Sequence, residues 1–250
     1  MSYFDFLVKE LHLRINNNKE FMSKEKEYAT EASMENVEHA LSTTEQFIED
    51  NQKTLTIIMF AIIIVVGGYW ATKKLYIQPQ ENEAQNAMFF AQNYFEKDSF
   101  NLALNGDGMN QGFLDIAEGY SLTKSSKLAK YYAGVSYLNL GNFDEAIDYL
   151  EGFSCGDEVI NAMGKGALAD AYLEKGNTSK AISNYSSAAK IGNAVVAPAY
   201  LLKLGLVYED AKEYNKALEA YTRIKTDFKA SAEARSIDKY ITRADLLSKK

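Results

Sequence analysis

Three stretches of the chain follow one pattern. YYAGVSYLNLGNFDEAIDYL from Tyr131, GALADAYLEKGNTSKAISNY from Gly166 and LKLGLVYEDAKEYNKALEAY from Leu202 share it. Each sets a small residue, an aromatic three positions later, and an alanine nine positions after the aromatic. The triplets are Gly134/Tyr137/Ala146, Ala169/Tyr172/Ala181 and Gly205/Tyr208/Ala217, with the alanines 35 and 36 residues apart. Such a period restricts the chain to stacked supersecondary units. Two antiparallel helices approach closely only where small side chains face each other. Gly or Ala on the first helix and Ala on the second permit that, and the tyrosines are expected to fill the space against the next hairpin. Gly141-Asn142 and Gly176-Asn177 punctuate the first two turns. Asn142 with Glu145 predicts an N-cap and its reciprocal carboxylate. The third turn, Ala211-Lys212, carries no comparable signal.

A weaker copy lies upstream, where Ala91, Tyr94, Phe100 and Ala103 keep the same offsets. Only two prolines interrupt a chain rich in Ala, Leu, Lys and Glu, which favours an all-α fold. On these residues the pattern resembles tetratricopeptide repeats, whose length is about 34 residues. The resemblance implies a solenoid of α-hairpins over 80–250. It places a weak repeat near 84–107, an insertion at 105–126, repeats near 127–158, 162–195 and 198–230, and a capping helix over 231–248. The insertion is expected to form a loop and an extra helix.

Before the repeats stands TLTIIMFAIIIVVGGYWATKK. Nineteen residues, Thr54 to Thr72, carry no charge. As a helix they span roughly 28 Å, close to the hydrocarbon thickness of a bilayer. The stretch is apolar on every face, and Tyr69, Trp70 and Tyr76 gather at its C-terminal end like an interfacial belt. A secretory signal would open on a short basic region, whereas 53 mostly polar residues precede this one. It predicts one transmembrane helix over 54–76. Charge points both ways on orientation. Next to the helix, Lys73 and Lys74 outnumber Lys53, which favours the C-terminal side inside. Over the whole leader, Lys9, Arg14, Lys19, Lys24, Lys26 and Lys53 favour the N-terminus inside. Residues 1–52 read as an acidic, partly disordered tail with a helix near 34–49, where Val37, Leu41 and Ile48 share a face. Met22-Ser-Lys reads as an alternative translation start.

The net charge is −7, and neither flank of the apolar stretch is basic, so a nucleic-acid footprint is not expected. One cysteine, Cys155, allows no internal disulfide and reads as a loop or packing thiol. Both histidines, His12 and His39, precede the apolar stretch, which leaves the repeats without a histidine triad or zinc ligands. The glycines of Asn105-Gly-Asp-Gly-Met-Asn-Gln-Gly112 lack the Gly-Lys-Ser/Thr of a phosphate loop. Met109 and Ile116 stand where a calcium loop needs oxygen ligands, so the segment reads as a turn. No catalytic residue, cofactor or metal is expected.

Repeat arrays bind along their concave face. By the spacing of the resembled family, that face includes Met88, Phe95, Tyr131, Val135, Leu138, Asp170, Leu173, Leu202 and Leu206. This mostly apolar set suits a partner helix or an unfolded segment. Tyr131, Val135 and Ala167 occupy the places where chaperone-tail receptors carry their carboxylate clamp, which disfavours that role. A second resemblance spans 47–250. Phe47-x-x-x-Asn51-x-Lys53-x-Leu55, the apolar helix, Gly67/Gly68 and Trp70, followed by repeats, is similar to the YfgM-type single-pass ancillary subunits of the bacterial Sec translocon. That likeness implies a bacterial inner-membrane protein with its N-terminus cytoplasmic and its repeats periplasmic. The partners it implies are translocon subunits, a periplasmic prolyl isomerase and chaperone, and exported clients. The alternative is an envelope scaffold organising cell-wall or outer-membrane machinery without binding clients.

Overall fold

The computed structural model describes residues 47–249, so all but the last three residues of the expected helix near 34–49, and most of the acidic tail, lie outside the described residues. The chain divides into two compact units between Trp70 and Ala71.

In the first unit, residues 47–50 are helical and exposed, and α1 opens at Gln52 and runs to Ala71. Its twenty residues include none that is buried. Leu, Ile, Val and Phe on every side give it no polar face to present to water, and it is long and apolar enough to cross a membrane. The expected C-terminal limit at 76 is not where helical structure stops. Thr72–Ile77 form a π-helical turn and α2, Gln78–Glu96, follows at once, with Pro79 tolerated in its first turn.

The second unit is all-α among the described residues. After α2 come α3 (Phe100–Asn105), α4 (Phe113–Gly119), α5 (Lys124–Asn139), α6 (Phe143–Leu150), α7 (Glu158–Glu174), α8 (Thr178–Ile191), α9 (Ala197–Asp210) and α10 (Tyr214–Asp227). A 3₁₀ turn, Glu233–Ser236, leads into α11, Ile237–Ser248. The last helix therefore starts later than 231, because Ser231 Oγ accepts the Ala234 N–H and bends the chain first.

One turn geometry recurs four times. Asp98, Gly141, Gly176 and Lys212 take positive φ of 56°, 78°, 74° and 62°. The next residue in each case donates its N–H to the carbonyl of the repeat tyrosine. These bonds are Ser99 to Tyr94 and Asn142 to Tyr137 at 2.9 Å, and Asn177 to Tyr172 and Glu213 to Tyr208 at 2.8 Å. This closure satisfies carbonyls that the end of a helix leaves open. Glycine adopts the left-handed conformation freely, while Lys212 must carry its Cβ there, so its turn was silent in the sequence.

Caps are less uniform. Asn177 Oδ1 accepts the Lys180 N–H at 3.2 Å, and Thr123 and Asp157 cap α5 and α7. Asn142 makes no side-chain cap bond, so the box expected with Glu145 is absent. Its side chain is exposed, where water competes for the same hydrogen bonds.

The core follows the triplets. Ala103, Ala146, Ala181 and Ala217 are all fully buried. The small residue of the first helix faces a large one on the second. A Cβ built at Gly134 would stand 2.5 Å from Leu150 Cγ, and one at Gly205 would stand 2.2 Å from Tyr221 Cε1. Small positions thus receive side chains from one turn beyond the alanine. The tyrosines do not uniformly fill the space against the next hairpin. Tyr137 stacks on Tyr149 of its own hairpin at 5.6 Å, and the Tyr172 hydroxyl donates back to Glu151 at 3.1 Å. Antiparallel helices within a hairpin put Tyr137 beside its own second helix.

Candidate protein-binding face

The first helices of successive hairpins lie parallel. Tyr200 of α9 covers Gly166 of α7, where a Cβ would fall 2.0 Å from its ring. Four residues further along α7, both Asp170 oxygens accept from Lys203 Nζ, at 2.7 and 2.8 Å. At the other end, Arg243 of α11 meets Glu209 of α9 at 2.7 Å. These contacts join residues 33 or 34 positions apart, close to one repeat.

The nine residues assigned to the face separate into distinct environments. Met88 and Tyr131 are corrected: both are buried core residues. Met88 packs with Ala84, Phe113 and Ile116. Tyr131 is 9% exposed, lying beside Tyr132 and against Phe153 from the loop after α6. That loop has no periodic pattern, so its ring could not be placed over Tyr131 from spacing. Phe95 is half-buried, edge-on to Phe100, Phe113 and Tyr132. Val135, Leu138 and Leu173 are half-buried around the central cluster. Leu202 packs on the last cluster, which includes Ile237 and Ala244 of α11. Leu206 is 39% exposed.

Leu138, Asp170 and Leu173 come together with Asn139, Phe143 and Glu174 in a shallow depression where the C-terminal ends of α5 and α7 meet. Asp170 is more constrained than its spacing implied. It also accepts from the Tyr185 hydroxyl. Burial, then that bond and the Asp170 charge, push the Tyr185 phenol well above its ordinary pKa. Burial followed by the same charge raises Tyr200 to about 12. Both tyrosines therefore stay neutral at physiological pH, and Tyr185 serves as a fixed donor. Lys203 and Tyr185 were absent from the expected face. The first had a legible signal, since it lies one repeat length, less one or two residues, beyond Asp170.

The segment 105–112 is a turn built on Asp107. Its carboxylate accepts from the Tyr94 hydroxyl at 2.7 Å, from Met109 N–H at 2.9 Å, and from Asn110 N–H and Nδ2 at 2.6 and 2.9 Å. The Tyr94 bond first, then those of Asn110 and Met109, hold it far below the usual carboxylate range. These donors occupy both oxygens. Cys155 sits in the loop before α7, where its backbone N–H and carbonyl are bonded to the Asn161 amide at 2.8 and 2.9 Å. Among the described residues no group of three or more His, Cys, Asp or Glu is arranged to hold a metal.

What this arrangement can do is bind. Partly exposed aliphatic side chains and one fixed ion pair lie on parallel helices that share a register. Comparison with known proteins agrees with the repeat geometry. Residues 128–153 and 167–233 each match a tetratricopeptide repeat model. No curated protein matches the chain. A crystal structure of MamA protein aligns at 19% identity with a TM-score of 0.49, over 67% of this chain and 92% of that one. With repeats matched at both places and turns closed alike, the chain carries tetratricopeptide repeats over 128–153 and 167–233.

Proposed function

We propose that the chain is a membrane-anchored protein-interaction module that serves as a scaffold or chaperone for exported proteins at the Sec translocon. The observation that carries the binding role is the half-exposed aliphatic row Val135, Leu138, Leu173 and Leu206, with the Asp170–Lys203 pair on the same helices. Such a row takes the apolar side of a helix or an unfolded segment, and the ion pair adds a polar reading. Repeat scaffolds typically work without catalysis. The fully apolar α1 supports a single-pass anchor, and the sequence likeness to the translocon subunits supports a cytoplasmic N-terminus with periplasmic repeats. A periplasmic prolyl isomerase and chaperone is the partner that likeness supplies.

A photo-crosslinking residue at Leu138 or Leu206, in native membranes, tests the assignment. Capture of a translocon subunit or an exported chain is the expected result. Capture of cell-wall or outer-membrane machinery alone would leave the envelope-scaffold reading in its place. Protease added to intact spheroplasts should digest the repeats, and full protection would reverse the orientation.

A further inference from the structure

The shallow depression at the ends of α5 and α7 has a sign as well as a shape. Leu138, Phe143 and Leu173 supply its apolar side, Asp170 and Glu174 supply its charge, and no lysine or arginine lines it. Asp170 is satisfied by both bonds from Lys203 and by the Tyr185 hydroxyl. Glu174 is exposed, and its carboxylate has no ion pair among the described residues. The adjoining Lys175 is turned to Asp144 instead.

The next hairpin repeats this arrangement. The helices α5, α7 and α9 end on Asn139, Glu174 and Asp210, and none of the three has a basic residue in its last turn. The C-terminus of a helix carries partial negative charge, so a carboxylate there is unfavourable and a lysine or arginine is the stabilising choice. Two successive hairpins forgo that choice at equivalent positions, five residues beyond Ala169 and Gly205. Asp210 is exposed like Glu174 and likewise has no ion pair among the described residues. A local rule broken without a compensating contact marks a place shaped by something other than folding. The neighbouring carboxylates show what this edge attracts. Asp170 takes Lys203 and Glu209 takes Arg243, each from a helix further along the array.

We propose that this edge of the binding face selects a polypeptide segment that carries aliphatic and cationic side chains together. An aliphatic group enters between Leu138 and Leu173, and lysine or arginine side chains meet Glu174 and Asp210. Leu206, 39% exposed and one turn before Asp210, extends the apolar side towards the end of α9. Opposite charge speeds encounter and turns acidic segments away, while the aliphatic contact holds the complex. The proposal rests on the reading of the repeats as a protein-binding face and names the chemistry of what that face takes.

Full-length chain in non-ionic detergent is titrated against fluorescein-labelled peptides, with binding followed by anisotropy. One peptide alternates Leu and Lys, a second Leu and Glu, a third Ser and Lys. The Leu/Lys peptide should bind about tenfold more tightly than either of the others, the scale of two exposed ion pairs. Glu174→Gln with Asp210→Asn should weaken it by about tenfold. That variant should unfold at an equal or slightly higher temperature, since carboxylates have left two helix C-termini. Asp115→Asn with Glu118→Gln removes the same charge from exposed positions on α4 and should bind like wild type. A Leu/Lys peptide that binds no better than either of the others overturns the proposal, as does an equal effect of the two double variants. Capture of a translocon subunit or an exported chain at Leu138 would then leave the binding face itself standing. Binding of no peptide also overturns the proposal, and failure of all capture at Leu138 removes the binding face with it.

Discussion

The first hairpin and the last full one close with the same turn yet are held by different forces. Between α9 and α10 the joint is apolar. Gly205 lets the Tyr221 ring approach, and Ala217 and Ile224 are completely buried beside it. Between α2 and α3 the second helix has only six residues, half a normal partner. Polar ties from a distance take over part of the work. Glu81 caps α5 across 43 residues, and Tyr94 is bonded to Asp107 across 13. A truncated repeat thus adds long-range hydrogen bonds to a smaller packed core, where a complete one relies chiefly on close packing. That difference changes how each end responds to mutation and to acid.

The largest effect should come from the apolar joint. Gly205→Ala drives a methyl group into the Tyr221 ring and should cost about 3 kcal/mol, at the upper end of typical overpacking. Thermal unfolding should move down by about 10 °C. Gly134→Ala meets Cγ and both methyls of buried Leu150, a side chain that can change rotamer where a ring cannot, and should cost about 1–2 kcal/mol. Equal losses at the two sites would break the contrast between a rigid ring and a pliant side chain.

The first hairpin should respond more weakly and in a pH-dependent way. Glu81→Ala should destabilise by about 1 kcal/mol, since the carboxylate is a cap but largely open to solvent. Desolvation raises the Glu81 pKa, yet the bonds from Ser125, Lys124 and Gln85 outweigh it and leave the value below its ordinary 4.5. A carboxyl whose folded pKa is depressed contributes fully above the unfolded value and loses its contribution as pH falls through the folded one. Wild type and Glu81→Ala should therefore differ at pH 7 and begin to converge only as pH falls below about 4.5, towards the lower folded value. Denaturant titrations at pH 7 and below about 4.5 check this. A constant gap across that range would remove the ionised cap from the account.

The smallest effect has the opposite sign. Lys212→Gly relieves a left-handed lysine and should stabilise by about 0.5–1 kcal/mol, after the extra backbone entropy of glycine is subtracted. Gly176→Lys should lose a similar amount in the equivalent turn.

The hairpin pattern was legible because each turn and each close approach demands a particular residue. Gly141 and Gly176 mark two turns openly, and the buried alanines keep their spacing even in the short first copy. Lys212 hid the third turn because a lysine can be forced into it. The surroundings of the residues expected on the face were only partly legible. Helical spacing tells which way Tyr131 points within its own hairpin, but Phe153, which lies against it, comes from a loop without periodicity. Met88 was misread for a related reason. Phe113 and Ile116, which share its buried cluster, belong to α4, a helix that interrupts the repeat. Leu138 and Leu173 hold equivalent positions in regular repeats, and they line one depression.

The Tyr200 ring over Gly166 has a spectroscopic consequence. An aromatic ring that close to a backbone must perturb the glycine α-protons through its ring current, so Gly166 should resonate well away from an ordinary glycine in a nuclear magnetic resonance spectrum. Because the ring belongs to the next hairpin, that one signal reports whether two neighbouring repeats remain stacked. A partner that pries them apart would return it towards the ordinary value, and one that merely lies across them would leave it in place.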